Sequence, residues 1–199
     1  MEIKYMLKTK TRCPEITVIA GPNGSGKTTI TKYMDNIDNY INADDIKQKY
    51  SCTDKEASDR AGALREYLLE KGEDFTFETV LSTDWNLNLL IKAKENGYFI
   101  KCIYVLTSDY KINISRVLMR KGMGYHGVPV DKIKSRYKKA LKLIPKLIEV
   151  CDIVHIYDNS GDNAFRIFKK RKDIYYHWEN EFWDYSKIET LTGIDEYNN

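Results

Sequence analysis

Gly21-Pro22-Asn23-Gly24-Ser25-Gly26-Lys27-Thr28 has the residue types and the spacing of a phosphate-binding loop. Its glycines let the backbone wrap closely, so that successive N–H groups point inward at phosphate oxygens. A helix beginning near Gly26 adds the positive end of its dipole. Lys27 is placed to reach the β- and γ-phosphates of a nucleotide, and the Thr28 hydroxyl to ligate Mg²⁺. The expected cofactors are ATP and Mg²⁺, held by Gly21, Asn23, Gly24, Ser25, Gly26, Lys27, Thr28 and Thr29. ATPases, GTPases, kinases and switches all use such a loop, so the remaining residues must choose among them.

Two carboxylates suit the acceptor side. Asp44, with Asp45 as alternate, follows a brief predicted strand at Tyr40-Ile41-Asn42. A carboxylate there can take the proton of a hydroxyl attacking the γ-phosphate; the competing reading is an N-cap aspartate before a short helix. Glu78 ends an aromatic strand and, with Thr79 beside it, is expected to contact the acceptor or the water around Mg²⁺; the competing reading is a glutamate facing solvent.

Of eight arginines, Arg116, Arg120 and Arg136 fall close together. Arg116 and Arg120 share a helical face, and Arg136 lies beyond the glycine-containing turn Gly122 to Pro129. A helix–loop–helix lid over ATP would use them to neutralise the transferring phosphoryl group; the competing reading is a solvated helix. His126 belongs to that turn and is expected to bind backbone rather than catalyse. His155, inside an apolar strand, reads as packed. Asp158 and Asn159 follow the last core strand, where they can contact adenine or ribose or simply make the turn.

The elements that position these groups alternate in type. Glu15–Ala20 reads as a buried strand and Lys27–Met34 as a helix. Thr53-Asp54-Lys55-Glu56 has capping-box spacing before a helix with Ala57, Ala61, Leu64 and Leu68 on one face, ended by Gly72. Strands are predicted at Phe75–Leu81, within Tyr98–Thr107, and at Ile153–Tyr157. Helices are predicted after Ser82 or Thr83, after Ser108 with Ile114, Val117 and Leu118, and over Ile133, Tyr137, Leu141 and Ile144, where Pro145 bends or ends the helix. Such alternation predicts one α/β unit over residues 1–199 with a mostly parallel sheet flanked by helices. Its core would span 15–160, its lid about 109–136, and a C-terminal extension 162–199 would pack across the sheet edge.

Composition excludes some classes. Hydrophobic residues are 42% and charged residues 31%, as in ordinary globular proteins. No apolar run approaches the roughly 20 residues that cross a bilayer, and the N-terminus has no secretory pattern, so a cytoplasmic protein without a membrane partner is expected. Cys13, Cys52, Cys102 and Cys151 lack zinc spacing and fit reduced thiols. A net charge of +3 does not argue for nucleic acid.

Taken as an ordered set, Gly21–Thr29, Asn42-Ala43-Asp44-Asp45-Ile46, Phe77-Glu78-Thr79-Val80-Leu81-Ser82, Arg116-Val117-x-x-Arg120, His126-Gly127-Val128-Pro129, Ile133-x-x-Arg136-Tyr137 and Tyr157-Asp158-Asn159-Ser160 resemble the zeta-toxin family of P-loop kinases, its short chromosomal branch in particular. The resemblance implies a nucleoside-monophosphate-kinase-like fold, Asp44 as the catalytic aspartate, and lid arginines on the γ-phosphate. It also implies phosphorylation of a sugar hydroxyl on UDP-N-acetylglucosamine, with a separate antitoxin protein as partner. Two positions depart from the pattern: Tyr125 stands where the branch usually has glycine, and Asn42 where toxin-active members usually have aspartate.

A small-molecule kinase is the leading expectation. A polynucleotide or nucleoside kinase would want a basic groove with stacking aromatics, and Lys169-Lys170-Arg171-Lys172-Asp173-Ile174-Tyr175-Tyr176-His177-Trp178 has that composition, though it also reads as a surface turn followed by a strand. A non-catalytic nucleotide switch is the other alternative.

Overall fold

The computed structural model describes residues 12–31, 39–122 and 128–197. Seven strands form one sheet in the order β2-β3-β1-β4-β5-β6-β7. They are β1 (Glu15–Ala20), β2 (Tyr40–Ile41), β3 (Phe75–Thr79), β4 (Phe99–Leu106), β5 (Ile153–Asp158), β6 (Phe165–Arg171) and β7 (Ile174–His177). The first five pair in parallel, and β6 and β7 close one side antiparallel. β1 is central, and its β-branched run is buried at Ile16, Val18 and Ile19, as a strand covered on both faces requires.

Helices α1 (Lys27–Thr31), α2 (Ala43–Tyr50), α3 (Asp54–Lys71), α4 (Asp84–Glu95), α5 (Tyr110–Gly122), α6 (Val130–Lys142), α7 (Ile144–Val150) and α8 (Tyr185–Thr192) complete the description. The register sets Ala20 beside Thr79 and Tyr104, and Leu106 beside Asp158, so the strand C-termini share one edge. Parallel order thus gathers the following loops into one crevice.

Local signals act as their chemistry predicts. Thr53 and Glu56 form the capping box of α3, and Gly72 closes it in the left-handed conformation. Leu143 separates α6 from α7, with Pro145 in the first turn of the latter, where its missing N–H costs nothing. The inner stripe of α3 differs from the expectation: Leu64 is 42% exposed, and the slot between Ala61 and Leu68 belongs to Arg65, 5% exposed. The Arg65 guanidinium lies over the rings of Phe77 and Trp85 at 4.9 and 5.1 Å, an apolar-compatible seat for a flat cation. Leu118 is likewise exposed, because α5 turns Asn113 and Val117 inward.

Residues beyond 162 do not merely cover the sheet edge; they extend it. Lys172, at φ +55°, and Asp173 make a two-residue connection between β6 and β7. A register shift at Ile156/Tyr157 lets both Ile167 and Phe168 of β6 turn into the core. That core continues through Ile148, Val154, Ile156, Trp183 and Ile188. All four cysteines are free, and burial pushes the Cys102 thiol well up beside Cys151. The readings on Gly124, Tyr125 and His126, and on the end of the first helix at Met34, lie outside the described residues.

Candidate active site

The loop between β1 and α1 is fixed by its neighbours. Gly21 has φ +141°, and a Cβ there would sit 2.0 Å from the Val105 carbonyl oxygen. Gly26 has φ +103°, and a Cβ would meet Asn159 Nδ2 at 2.2 Å. Only glycine fits both the dihedral and the approach. Asn159 Nδ2 donates to the Ser25 carbonyl at 2.8 Å, and Asn113 Nδ2 donates to the Asn23 carbonyl at 2.7 Å. The loop is thereby braced from two sides. Ser25 is fully buried, and its Oγ has no partner among the described residues.

Lys27 folds back on this loop. Its Nζ donates to the carbonyls of Gly21 at 2.7 Å and Pro22 at 3.2 Å. Burial lowers its pKa to about 8, against the opposing pull of the Glu78 and Asp44 carboxylates, and the Arg120 charge lowers it further. Lysine, acceptor-side carboxylates and an arginine are therefore within electrostatic reach of one another. Thr28 and Thr29 are exposed on the first turn of α1.

Glu78 is the hub of the acceptor side. Its Oε1 accepts from the Thr31 hydroxyl at 3.0 Å and its Oε2 from Asn42 Nδ2 at 3.1 Å. The same amide donates to the Tyr40 hydroxyl at 3.2 Å, and burial together with Glu78 pushes the Tyr40 pKa well up, keeping it protonated. Asn42 also caps α2, its Oδ1 accepting from the Asp44 N–H at 2.9 Å. Asp44 is thus not the cap. It stands in the first turn with its carboxylate exposed, while burial and Asp44 raise the Asp45 carboxyl. Beside them lies a crevice of about 470 Å³, whose polar lining includes Tyr40, Asn42, Asp45, Lys49, Tyr50 and Arg60. Its size suits a small organic ligand.

The three arginines act on the loop or on a residue that braces it. Arg116 donates to the Asn159 carbonyl at 2.7 Å, Arg136 reaches Asn23 Oδ1 at 3.5 Å, and exposed Arg120 is felt by Lys27. Asp158 stands apart: it is 3% exposed, with Oδ1 bonded to Ser160 and Oδ2 accepting from Asn180 Nδ2 at 2.9 Å. Thr79 is occupied too, its hydroxyl accepting from Leu81 N at 2.9 Å and Asn86 Nδ2 at 2.7 Å. The sequence reading passed over Asn113, Asn180, Tyr40 and Thr31. For Asn113 a signal existed, since Asn113, Arg116 and Arg120 are spaced three and four apart, on one helical face.

A parallel sheet with this loop after its central strand is a P-loop kinase fold, and the oxygen donors around Lys27 (the Thr28 hydroxyl, Glu78 and Asp44) suit a hard cation such as Mg²⁺. The chain belongs to the zeta toxin family, whose model matches residues 2–172. An uncharacterized protein of Haemophilus influenzae is 28% identical over 123 residues, which are 59% of this chain and 88% of that one. Among solved structures, the PezAT chromosomal toxin–antitoxin system of Streptococcus pneumoniae superposes with a TM-score of 0.59 at 21% identity, covering 83% of this chain and 75% of that one. The AvrRxo1-ORF1:ORF2 complex with ATP gives 0.66 at 14% identity, covering 82% and 60%. No helix among the described residues is long and apolar enough to cross a membrane.

Proposed function

We propose that this protein is an ATP-dependent kinase that moves the γ-phosphate to a hydroxyl of a small acceptor, a nucleotide sugar of the UDP-N-acetylglucosamine type. The observation that carries this reading is the placing of Lys27 between the loop carbonyls and the two carboxylates Asp44 and Glu78. A triphosphate in the loop would draw Lys27 off Gly21 and Pro22 and present its terminal phosphorus beside Asp44. Asp44 would accept the hydroxyl proton as the new O–P bond forms and the bond to the β-phosphate oxygen breaks, releasing ADP. Glu78, held by Thr31 and Asn42, would orient the acceptor. Arg120, Arg116 and Arg136 would neutralise charge on the transferring group, most of the work in such reactions being positioning and electrostatics. Mg²⁺ held through Thr28 would supply charge neutralisation at the phosphate oxygens. The crevice beside Asp45 is the acceptor pocket in this reading.

The PezAT likeness supports a separate antitoxin protein as a further partner, and a cytoplasmic location goes with that chemistry. The test is incubation with a metabolite pool, Mg²⁺ and γ-labelled ATP, followed by mass spectrometry, beside Asp44→Asn and Lys27→Ala. A phosphorylated UDP-sugar absent from both variants supports the proposal. Label found only in inorganic phosphate overturns it in favour of a hydrolase or a switch.

A further inference from the structure

The half-sheet formed by β5, β6 and β7 has one face packed into the core through Val154, Ile156 and Phe168. Its other face has an ordered composition. The middle strand presents only cations: Arg166, Lys169 and Arg171. Pairing places His155 and Tyr157 of β5 directly beside Lys169 and Arg166, and Tyr176 of β7 on the far side of Lys169. Trp178 continues the β7 column, its N–H donating to Ile167 at 3.0 Å. A cationic stripe therefore runs between rings at Arg166 and Lys169, with Ile153 and Ile174 flanking Arg171 at its far end.

Arg166 and Lys169 are three apart, which in a regular strand would put them on opposite faces. The register shift at Ile156/Tyr157 absorbs the extra residue and returns Arg166 to the face of Lys169. The Arg166 guanidinium lies 4.5 Å from the Trp178 ring centroid and the Lys169 ammonium 5.3 Å from that of Tyr176. Tyr176 and Trp178 are stacked within 16° of parallel at 6.1 Å, and His155 and Tyr157 within 20° at 6.3 Å. These rings are half-buried and Arg171 is exposed. None of the three cations has a carboxylate partner among the described residues. Arg166 instead donates to His155 Nδ1 at 3.5 Å, and His155 is kept neutral by burial and by Arg166 and Lys169.

We propose that this face binds single-stranded nucleic acid, its β6 cations tracking the phosphates and its flanking rings stacking on bases. Cations in line without carboxylate partners ask for a polyanion, and near-parallel rings on both sides ask for one that carries flat groups at regular intervals. An acidic peptide would satisfy the cations but leave the rings without a partner. The face runs to the active-site edge at Tyr157 and Arg166 but shares no residue with the nucleotide loop, so the proposal is independent of the acceptor assigned above.

The experiment uses the full chain with saturating ATP and a fluorescein-labelled twelve-residue oligouridylate, read by anisotropy across salt. Three contacted phosphates give a log–log salt slope near −2, about a twentyfold loss between 50 and 200 mM. Trp178→Ala and Tyr176→Ala are expected to weaken binding about tenfold each at fixed salt. Arg166→Gln with Lys169→Gln should flatten the slope by more than half, and the charge-matched Lys138→Gln with Lys142→Gln should leave it unchanged. In the unmodified protein, photocrosslinks from 4-thiouridine should map to residues 155–178. Crosslinks elsewhere, a flat salt slope, full affinity in the folded aromatic variants, or displacement by polyglutamate as effective as by oligouridylate would each overturn the proposal.

Discussion

Asn42 Nδ2 donates to Glu78 Oε2 at 3.1 Å while the same side chain's Oδ1 caps α2 through the Asp44 N–H. One amide thus holds the Glu78 carboxylate and fixes the backbone that carries Asp44, and an aspartate at this position could do only the second. Asn42→Asp keeps the cap, since aspartate caps as well as asparagine, but sets two carboxylates against each other and raises the pKa of the pair. The variant should match the parent near pH 3.5, where both carboxyls are protonated, and lose about 1–3 kcal/mol as pH rises from about 4 to about 6.5. Thermal melts from pH 3.5 to 8 check this; a constant offset would refute it.

Lys27 titrates at about 8 instead of 10.5. Because the folded value lies below the unfolded one, the unfolded chain binds more protons between about 8 and 10.5, and this group's effect on stability becomes more favourable as pH rises through that window. Bound phosphates favour the charged lysine, so nucleotide binding above pH 8 must take up a proton. Calorimetry in two buffers of different ionisation enthalpy should find little uptake at pH 7 and close to one proton at pH 9. Equal uptake at both values would remove Lys27 from the phosphate site.

Asp44→Asn and Arg120→Ala both act on turnover under the proposed mechanism. Each should lower kcat by roughly a hundredfold or more while ATP binds within a fewfold of the parent. Single-turnover kinetics with equilibrium binding separates the two effects. A large loss of ATP affinity with intact turnover would assign Arg120 to ground-state binding.

Arg65 is buried between Phe77 and Trp85, its Nε has no partner among the described residues, and burial lowers its pKa to about 10. Arg65→Met keeps the volume and removes the desolvated charge, so it should hold or raise the melting temperature, whereas Arg65→Ala should cost about 2–4 kcal/mol through the cavity. A methionine variant less stable than the parent would show that the stacked guanidinium is itself stabilising.

What could be read from the sequence follows from how local each interaction is. The phosphate loop was legible because its function needs particular residues at fixed spacing along one segment. Asn113 and Asn159, which brace it, act across 90 and 134 residues, and an isolated asparagine carries no sign of its distant partner. Asp158 was expected at the nucleotide and is instead spent on Ser160 and Asn180; a turn aspartate looks the same in either role. The turn at Lys172-Asp173 and the strand after it could be read, but β6 was hidden because the irregularity that buries both Ile167 and Phe168 breaks the alternation by which strands are recognised. Leu64 was preferred to Arg65 for the α3 stripe because hydropathy cannot foresee a cation seated between two rings.

Asn180 donates to Asp158, and the next residue in the chain, Asn159, donates to the Ser25 carbonyl. This chain of contacts joins the segment after β7 to the loop after β1. The loop is therefore fully braced only once the segment carrying Asn180 is in place, and a product shortened before Asn180 would carry the entire phosphate-loop motif without one of the supports that shape it.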